Sequence, residues 1–70
     1  MVSTFTGKIV KVSGKNLVIN VTDRYAKRKE VVTLPTKSPK EIDDAVEFMK
    51  DIVTITVSMG KIIRVEKWHE

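Results

Sequence analysis

This chain of 70 residues contains no cysteine and only one histidine, His69. Domains of this size bury only about 60% of the surface that their unfolded chains expose, and many of them depend on disulfides or a structural zinc ion. Neither source of stability is available to this sequence. The fold must therefore be stabilised by its own apolar core, so the spacing of apolar residues decides what the chain can form.

Apolar residues, many of them β-branched, recur with a period of two over most of the chain, which is typical of half-buried strands. The adjacent pair Ile9-Val10 interrupts this alternation in the first strand and, together with Gly7, predicts a bulge or a sharp bend there. Met59-Gly60 predicts a two-residue hairpin turn. The predicted strands cover residues 5–13, 17–22, 31–34, 52–58 and 61–68.

A single helix is predicted between the third and fourth strands. Ser38 is suited to the N-cap, Pro39 to the first helical position and Glu41 to the third, which together form a capping box. We expect the Ser38 side-chain oxygen to accept a hydrogen bond from the backbone near Glu41. Apolar residues at positions 42, 45, 46 and 49 lie on one helical face, and the helix is expected to end near Lys50.

The alternation also predicts which side chains form the core. Val46 and Met49 of the helix are expected to cover one end of the sheet, and Phe5 and Phe48 are expected to be core residues as well. The strand residues predicted to be mostly buried are Leu17, Ile19, Val21, Val53, Ile55, Val57, Ile63 and Val65.

The order β-β-β-α-β-β, in a short chain with a glycine-bent first strand, resembles the OB-fold, a five-stranded Greek-key barrel. The resemblance extends from Phe5 to Trp68 and rests on topology and pattern. It implies a mainly β fold, with residues 1–70 forming a single OB-like β-barrel domain that binds oligonucleotides or oligosaccharides. Small chromo-like or Tudor-like barrels and an open sheet backed by a helix share much of the same pattern and stay open as alternatives.

The formal net charge of +4 is unevenly distributed. Residues 39–51 hold five acidic and two basic residues, a charge of −3, and the remaining eleven basic and four acidic residues carry +7. An acidic helix on an otherwise basic β structure gives the molecule two electrostatic sides. The basic side favours polyanionic partners.

The densest basic cluster falls at the predicted tip of the hairpin between the second and third strands. Cations neutralise phosphates, and an aromatic ring offers a stacking surface worth about 1–3 kcal/mol per base. A lysine-rich tip can also serve only to keep an edge strand from pairing with other chains. The predicted nucleic-acid-binding residues of this cluster are Arg24, Tyr25, Lys27, Arg28 and Lys29.

A second basic group lies on the first and fifth strands. Lys8 and Lys11 of the first strand, with Arg64 and Lys67 of the fifth, would extend the basic surface if those strands come close together. Trp68 is expected either to cover the open end of the barrel or to stack on a ligand. Charges on exposed strand faces also commonly serve only solubility.

Signals for an enzyme are nearly absent, and no catalytic residue, metal site or cofactor is predicted. His69 has no neighbouring nucleophile, and Asp43, Asp44 and Glu47 fit the solvated face of a helix better than a metal site. Neither a signal peptide nor a membrane-spanning run is recognisable, which favours a cytoplasmic protein. The absence of glutamine beside plentiful Lys, Glu, Val and Ile is typical of heat-adapted proteins and suggests a thermophilic source. A nucleic-acid-binding module of this kind would also suit an archaeal or viral chromatin-type role.

The sequence therefore predicts a nucleic-acid-binding protein of low sequence specificity, with single strands favoured and Tyr25 as the stacking residue. The alternative is an accessory subunit that docks on a larger protein, such as a DNA polymerase, through its acidic helix or a strand edge. Steeply salt-dependent binding to oligonucleotides separates the first function from the second.

Overall fold

The computed structural model describes residues 2–22 and 30–68. These residues form five antiparallel strands with one helix between the third and fourth, so the predicted mainly β fold class and element order are confirmed. The elements are β1 (Val2–Ser13), β2 (Asn16–Val21), β3 (Glu30–Pro35), α1 (Pro39–Glu47), β4 (Ile52–Ser58) and β5 (Lys61–Lys67).

The strands form one sheet in the order β3-β2-β1-β4-β5. The long central strand β1 pairs with β4 through its first half and with β2 through its second half, and Gly7 is opposite both Val21 and Val53. The sheet is not closed, but its edges approach where Thr36 and Ile62 form an isolated parallel bridge. This curved, open arrangement is compatible with a barrel-like fold.

The bend predicted in β1 is present at two neighbouring points. The pairing with β2 shifts register between Ile9 and Lys11, which leaves Val10 as the extra residue of a bulge. Gly7 is buried, and a Cβ built there would lie only 2.7 Å from the Asn20 carbonyl oxygen and 2.8 Å from Ile19 Cγ2. The close approach of β1 to β2 therefore requires a residue without a side chain.

The core lies between the concave face of the sheet and α1. Its strand residues follow the predicted alternation except in β5, where Ile62 is fully buried and Ile63, predicted to be buried, is half-exposed. The pairing of β4 with β5 shifts register between Thr56 and Val57, which leaves one extra residue in β5. The β5 side chains that precede this extra residue therefore point to the faces opposite to those predicted. The buried apolar residues are Ile9, Leu17, Ile19, Ala45, Val53, Ile55, Ile62 and Val65.

Residues at the margin of the core differ in part from the prediction. Val21 and Val57, predicted to be mostly buried, are only half-buried. Phe5 and Phe48 are partly buried and pack against the core, as expected. Fewer apolar side chains are therefore fully buried than the sequence pattern predicts. This agrees with the small core expected of a domain of this size.

Ser38 is the N-cap of α1, as predicted, but its predicted hydrogen bond to the backbone is not formed. Its hydroxyl instead donates to the carboxylate of Glu41, which is only 5% exposed. A buried carboxylate is costly without a hydrogen-bond donor, so this contact takes the Ser38 hydroxyl away from the backbone. The helix ends at Glu47, one turn before the predicted end near Lys50.

The helix packs on the core through a face centred on Ala45, which is fully buried. Ile42 and Met49 are partly buried beside it, but Val46 is 58% exposed and does not cover the core. Successive helical residues are rotated by roughly 100°, so Val46 points to one side once Ala45 faces the sheet. Within the described ranges, no helix has the length and apolar character required to cross a bilayer.

Candidate functional site

The outward face of the central strands carries two of the predicted binding residues. Lys8 is opposite Asn20 of β2 and Ile52 of β4, and Lys11 is opposite Val18 of β2. Residues directly opposite each other in a sheet share a face, and both lysines are exposed. The bulge at Val10 keeps Lys8 and Lys11 on the same face although they are three positions apart. We call this surface, the side of the sheet away from α1, the outer face.

Arg64 extends the outer face onto β5. It is opposite Thr56, while Glu66 is opposite Thr54, and Arg64 Nε lies 3.2 Å from Glu66 Oε1. The two side chains are 68% and 57% exposed, so the ion pair is worth at most about 1 kcal/mol. Glu66 therefore offsets part of the Arg64 charge while leaving its guanidinium accessible.

Trp68 continues the ladder between β4 and β5. Its backbone N–H donates to the Ile52 carbonyl oxygen over 2.9 Å, and the residue is half-buried. Strand alternation then assigns Trp68 to the outer face, in the same cross-strand row as Ile52 and Lys8. Lys67 precedes it opposite the fully buried Val53, so Lys67 belongs to the other face of β5.

Threonines occupy much of the remaining outer face. Thr4 is opposite Thr56 and Thr6 is opposite Thr54, which places rows of hydroxyl-bearing side chains between Arg64 and the β1 lysines. The Thr6 hydroxyl donates to the Thr22 carbonyl oxygen over 3.4 Å, and hydroxyl groups such as those of the other threonines donate hydrogen bonds to phosphate and sugar oxygens. The outer face thus combines accessible cations, neutral donors and one aromatic residue.

The remaining predicted binding residues, Arg24, Tyr25, Lys27, Arg28 and Lys29, lie outside the described residues, as does His69. Val21 and Glu30, which are paired across β2 and β3, are the paired residues nearest to the basic segment 24–29. In the adjacent row, on the outer face, Asn20 of β2 is opposite both Val31 of β3 and Lys8 of β1. The role of segment 24–29 stays a prediction.

A groove of about 620 Å³ lies at one end of the sheet and was not predicted from the sequence. Lys15, Lys37 and Lys61 line it, together with Asp43 and with apolar groups from the start of α1. The three lysines come from separate parts of the chain, so no sequence spacing connects them. Turn and connection lysines ordinarily suggest only solubility.

The described residues include no group of three or more His, Cys, Asp and Glu side chains that could hold a metal ion. Comparison of the chain with protein-family models, with curated proteins and with solved structures finds no match.

Proposed function

We propose that this protein binds nucleic acid with low sequence specificity, preferring single strands, through the outer face and the basic segment 24–29. One observation carries the proposal. The strand register brings Lys8, Lys11 and Arg64 together with Trp68 on one accessible face, although they come from opposite ends of the sequence.

The chemistry of the outer face suits a phosphodiester chain. Lysine and arginine neutralise phosphates and release condensed counterions, which provides affinity without reading the sequence. Trp68 lies in the same row as Lys8, so a base could stack beside a cation that holds the adjacent phosphate. Unpaired bases expose their faces for such stacking, which is the reason for the preference for single strands.

The sheet topology supports the same proposal. The order β3-β2-β1-β4-β5, with a helix after β3 and the edges approaching at Thr36 and Ile62, resembles an OB-fold that is nearly closed. OB-folds bind oligonucleotides on the face of strands 2 and 3 and on adjacent loops. Here Lys8 of β1 is opposite Asn20 of β2, which is in turn opposite Val31 of β3.

The first experiment compares two variants of equal charge change. Labelled single-stranded and duplex DNA and RNA are titrated at several salt concentrations with Lys8→Gln/Lys11→Gln and with Lys40→Gln/Lys50→Gln. Lys40 lies on α1 and Lys50 in the connection from α1 to β4, so neither belongs to a strand row of the outer face. We expect only the first pair to weaken single-strand binding, with a salt slope shallower by about 1.4, or 0.7 per lost phosphate contact. Equal binding by both pairs would exclude the outer face as the site.

The basic segment 24–29 is tested separately. Arg24→Gln/Arg28→Gln should weaken binding to all sequences alike and flatten the salt dependence by about one unit per lost phosphate contact. Tyr25→Ala changes no charge, so it should leave the slope unchanged and reduce affinity for single strands more than for duplex. Unchanged binding by the double arginine variant at low salt would remove this segment from the site.

A docking role is the second candidate function, and the exposure of α1 favours it. Val46 is 58% exposed on a helix whose Asp43 and Glu47 are also exposed. An apolar residue flanked by acids could contact a basic partner protein. Under this alternative the isolated protein binds oligonucleotides weakly at low salt, and Val46→Asp abolishes co-purification with the partner.

A further inference from the structure

The lysine-lined groove is built by three parts of the chain that meet where the sheet edges approach. The β1–β2 turn contributes Lys15, the connection from β3 to α1 contributes Lys37, and the start of β5 contributes Lys61. All three lysines are exposed, and Asp43 supplies one opposing charge. The lining thus has a formal charge of +2.

Backbone hydrogen bonds hold these three parts together. The Lys15 carbonyl oxygen accepts from the Thr36 N–H over 2.9 Å and from Thr36 Oγ1 over 2.8 Å. The Lys37 N–H donates to the Ile62 carbonyl oxygen over 2.9 Å, which ties the connection to the residue after Lys61. The lysines therefore extend from a fixed backbone frame, which lowers the ordering cost of binding.

The groove is larger than a single inorganic ion requires. Its volume of about 620 Å³ falls within the range of sites that hold small organic ligands, roughly 300–1,000 Å³. Pro35, Pro39 and Ile42 add apolar surface to the lining of the groove. A ligand that combines an anionic group with a flat or apolar part fits this lining.

The groove is continuous with the outer face. Asn16 and Pro35 are opposite each other in β2 and β3, and both line the groove. Val18, two residues along β2 from Asn16, is opposite Lys11. Two strand residues span about 7 Å, so a polymer lying across Lys11 reaches the groove within a short step.

We propose that the groove takes one nucleotide of the strand bound on the outer face, with its phosphate among Lys15, Lys37 and Lys61. The sugar and base then lie against Pro35, Pro39 and Ile42. The inference rests on the proposed nucleic-acid binding and adds a subsite to it. The bound strand follows a track from Lys8 across Lys11 to the end of the sheet.

The test combines a charge-matched pair of variants with a direct map. A mixed-sequence single-stranded DNA oligonucleotide is titrated into the parent protein, Lys15→Gln/Lys61→Gln and Lys40→Gln/Lys50→Gln over a range of salt. The groove variant should lose about 0.7 units of salt slope, the value for one phosphate contact, while the control keeps the parent slope. In ¹⁵N–¹H spectra of the parent, the oligonucleotide should shift the amides of Lys15, Thr36, Lys37 and Lys61 as well as those of β1.

The outcomes separate this inference from the proposed function. If Lys8→Gln/Lys11→Gln weakens binding while the groove variant keeps the parent slope and the groove amides stay unshifted, the groove is not a subsite and the outer face remains the site. If the parent fails to bind the oligonucleotide at low salt, both the proposed function and the subsite are wrong. The amide spectrum of each free variant establishes that it is folded.

Discussion

Gly7→Ala tests a point of the fold where β1 lies close to β2. Gly7 is one of the β1 residues that pair with both β2 and β4, and it is opposite Val21 and Val53. An added Cβ would meet the Asn20 carbonyl oxygen at 2.7 Å and Ile19 Cγ2 at 2.8 Å. Favourable contacts between carbon atoms lie at about 3.5–4.0 Å, so β1 and β2 would have to separate by several tenths of an ångström or more.

The expected magnitude follows from two opposing effects. Overpacking of a well-filled core by a methyl group costs about 1–3 kcal/mol. Replacing glycine with alanine restricts the unfolded chain and returns about 0.4–1 kcal/mol. One of the two contacts is with backbone, which cannot rotate away as a side chain can, so the cost exceeds the gain. We expect Gly7→Ala to lower the free energy of unfolding by about 1–2 kcal/mol.

The assay is urea unfolding followed by far-ultraviolet circular dichroism and by the fluorescence of the single tryptophan, Trp68. With a slope near 1 kcal/mol per molar urea for a domain this small, the midpoint should fall by about 1–2 M. Adding Ile19→Leu removes the second γ-carbon and hence one of the two contacts. The double variant should therefore lose less stability than the sum of the single variants. A Gly7→Ala midpoint at or above that of the parent would refute the close-approach explanation.

Three further predictions concern the core, the cap and the outer face. Ile62→Ala should cost about 2–5 kcal/mol and Ile63→Ala clearly less, and equal losses in urea unfolding would contradict the bulge in β5. Ser38→Ala should cost about 1 kcal/mol because the buried Glu41 carboxylate loses its donor, and thermal unfolding measures the loss. Glu66→Gln should strengthen oligonucleotide binding by up to about five-fold, because the substitution removes the negative charge that is paired with the arginine of β5. Weaker binding would contradict a contact between that arginine and the oligonucleotide.

Much of the fold could be predicted because local rules decide it. A period of two specifies strands, and the break at Ile9-Val10 correctly indicated the bulge in β1. Ser38-Pro39 correctly marked the start of α1. These signals act within a few residues of chain, so they can be read without knowing which strands pair.

The residues of the proposed site were only partly predictable. Lys8, Lys11 and Arg64 were recognisable as charges on exposed strand positions, but their presence on one surface depends on β1 pairing with both β2 and β4. The groove lysines, such as Lys15 and Lys61, could not be recognised as a group from the sequence. Lysines in turns that are distant in sequence become neighbours only when the sheet curves. Glu41 was expected to serve the cap, and its burial depends on how α1 lies on the sheet.

The element order, the bend in β1 and most of the core can be predicted from the sequence alone, since alternation and capping are properties of adjacent residues. Three features depend on the tertiary structure: the burial of Ile62 in place of Ile63, the exposure of Val46, and the approach of the sheet edges at Thr36 and Ile62. Each of these depends on contacts between distant segments. A single bulge reverses the direction of the side chains that follow, and the rotation of a helix on its sheet is set by the neighbours it packs against.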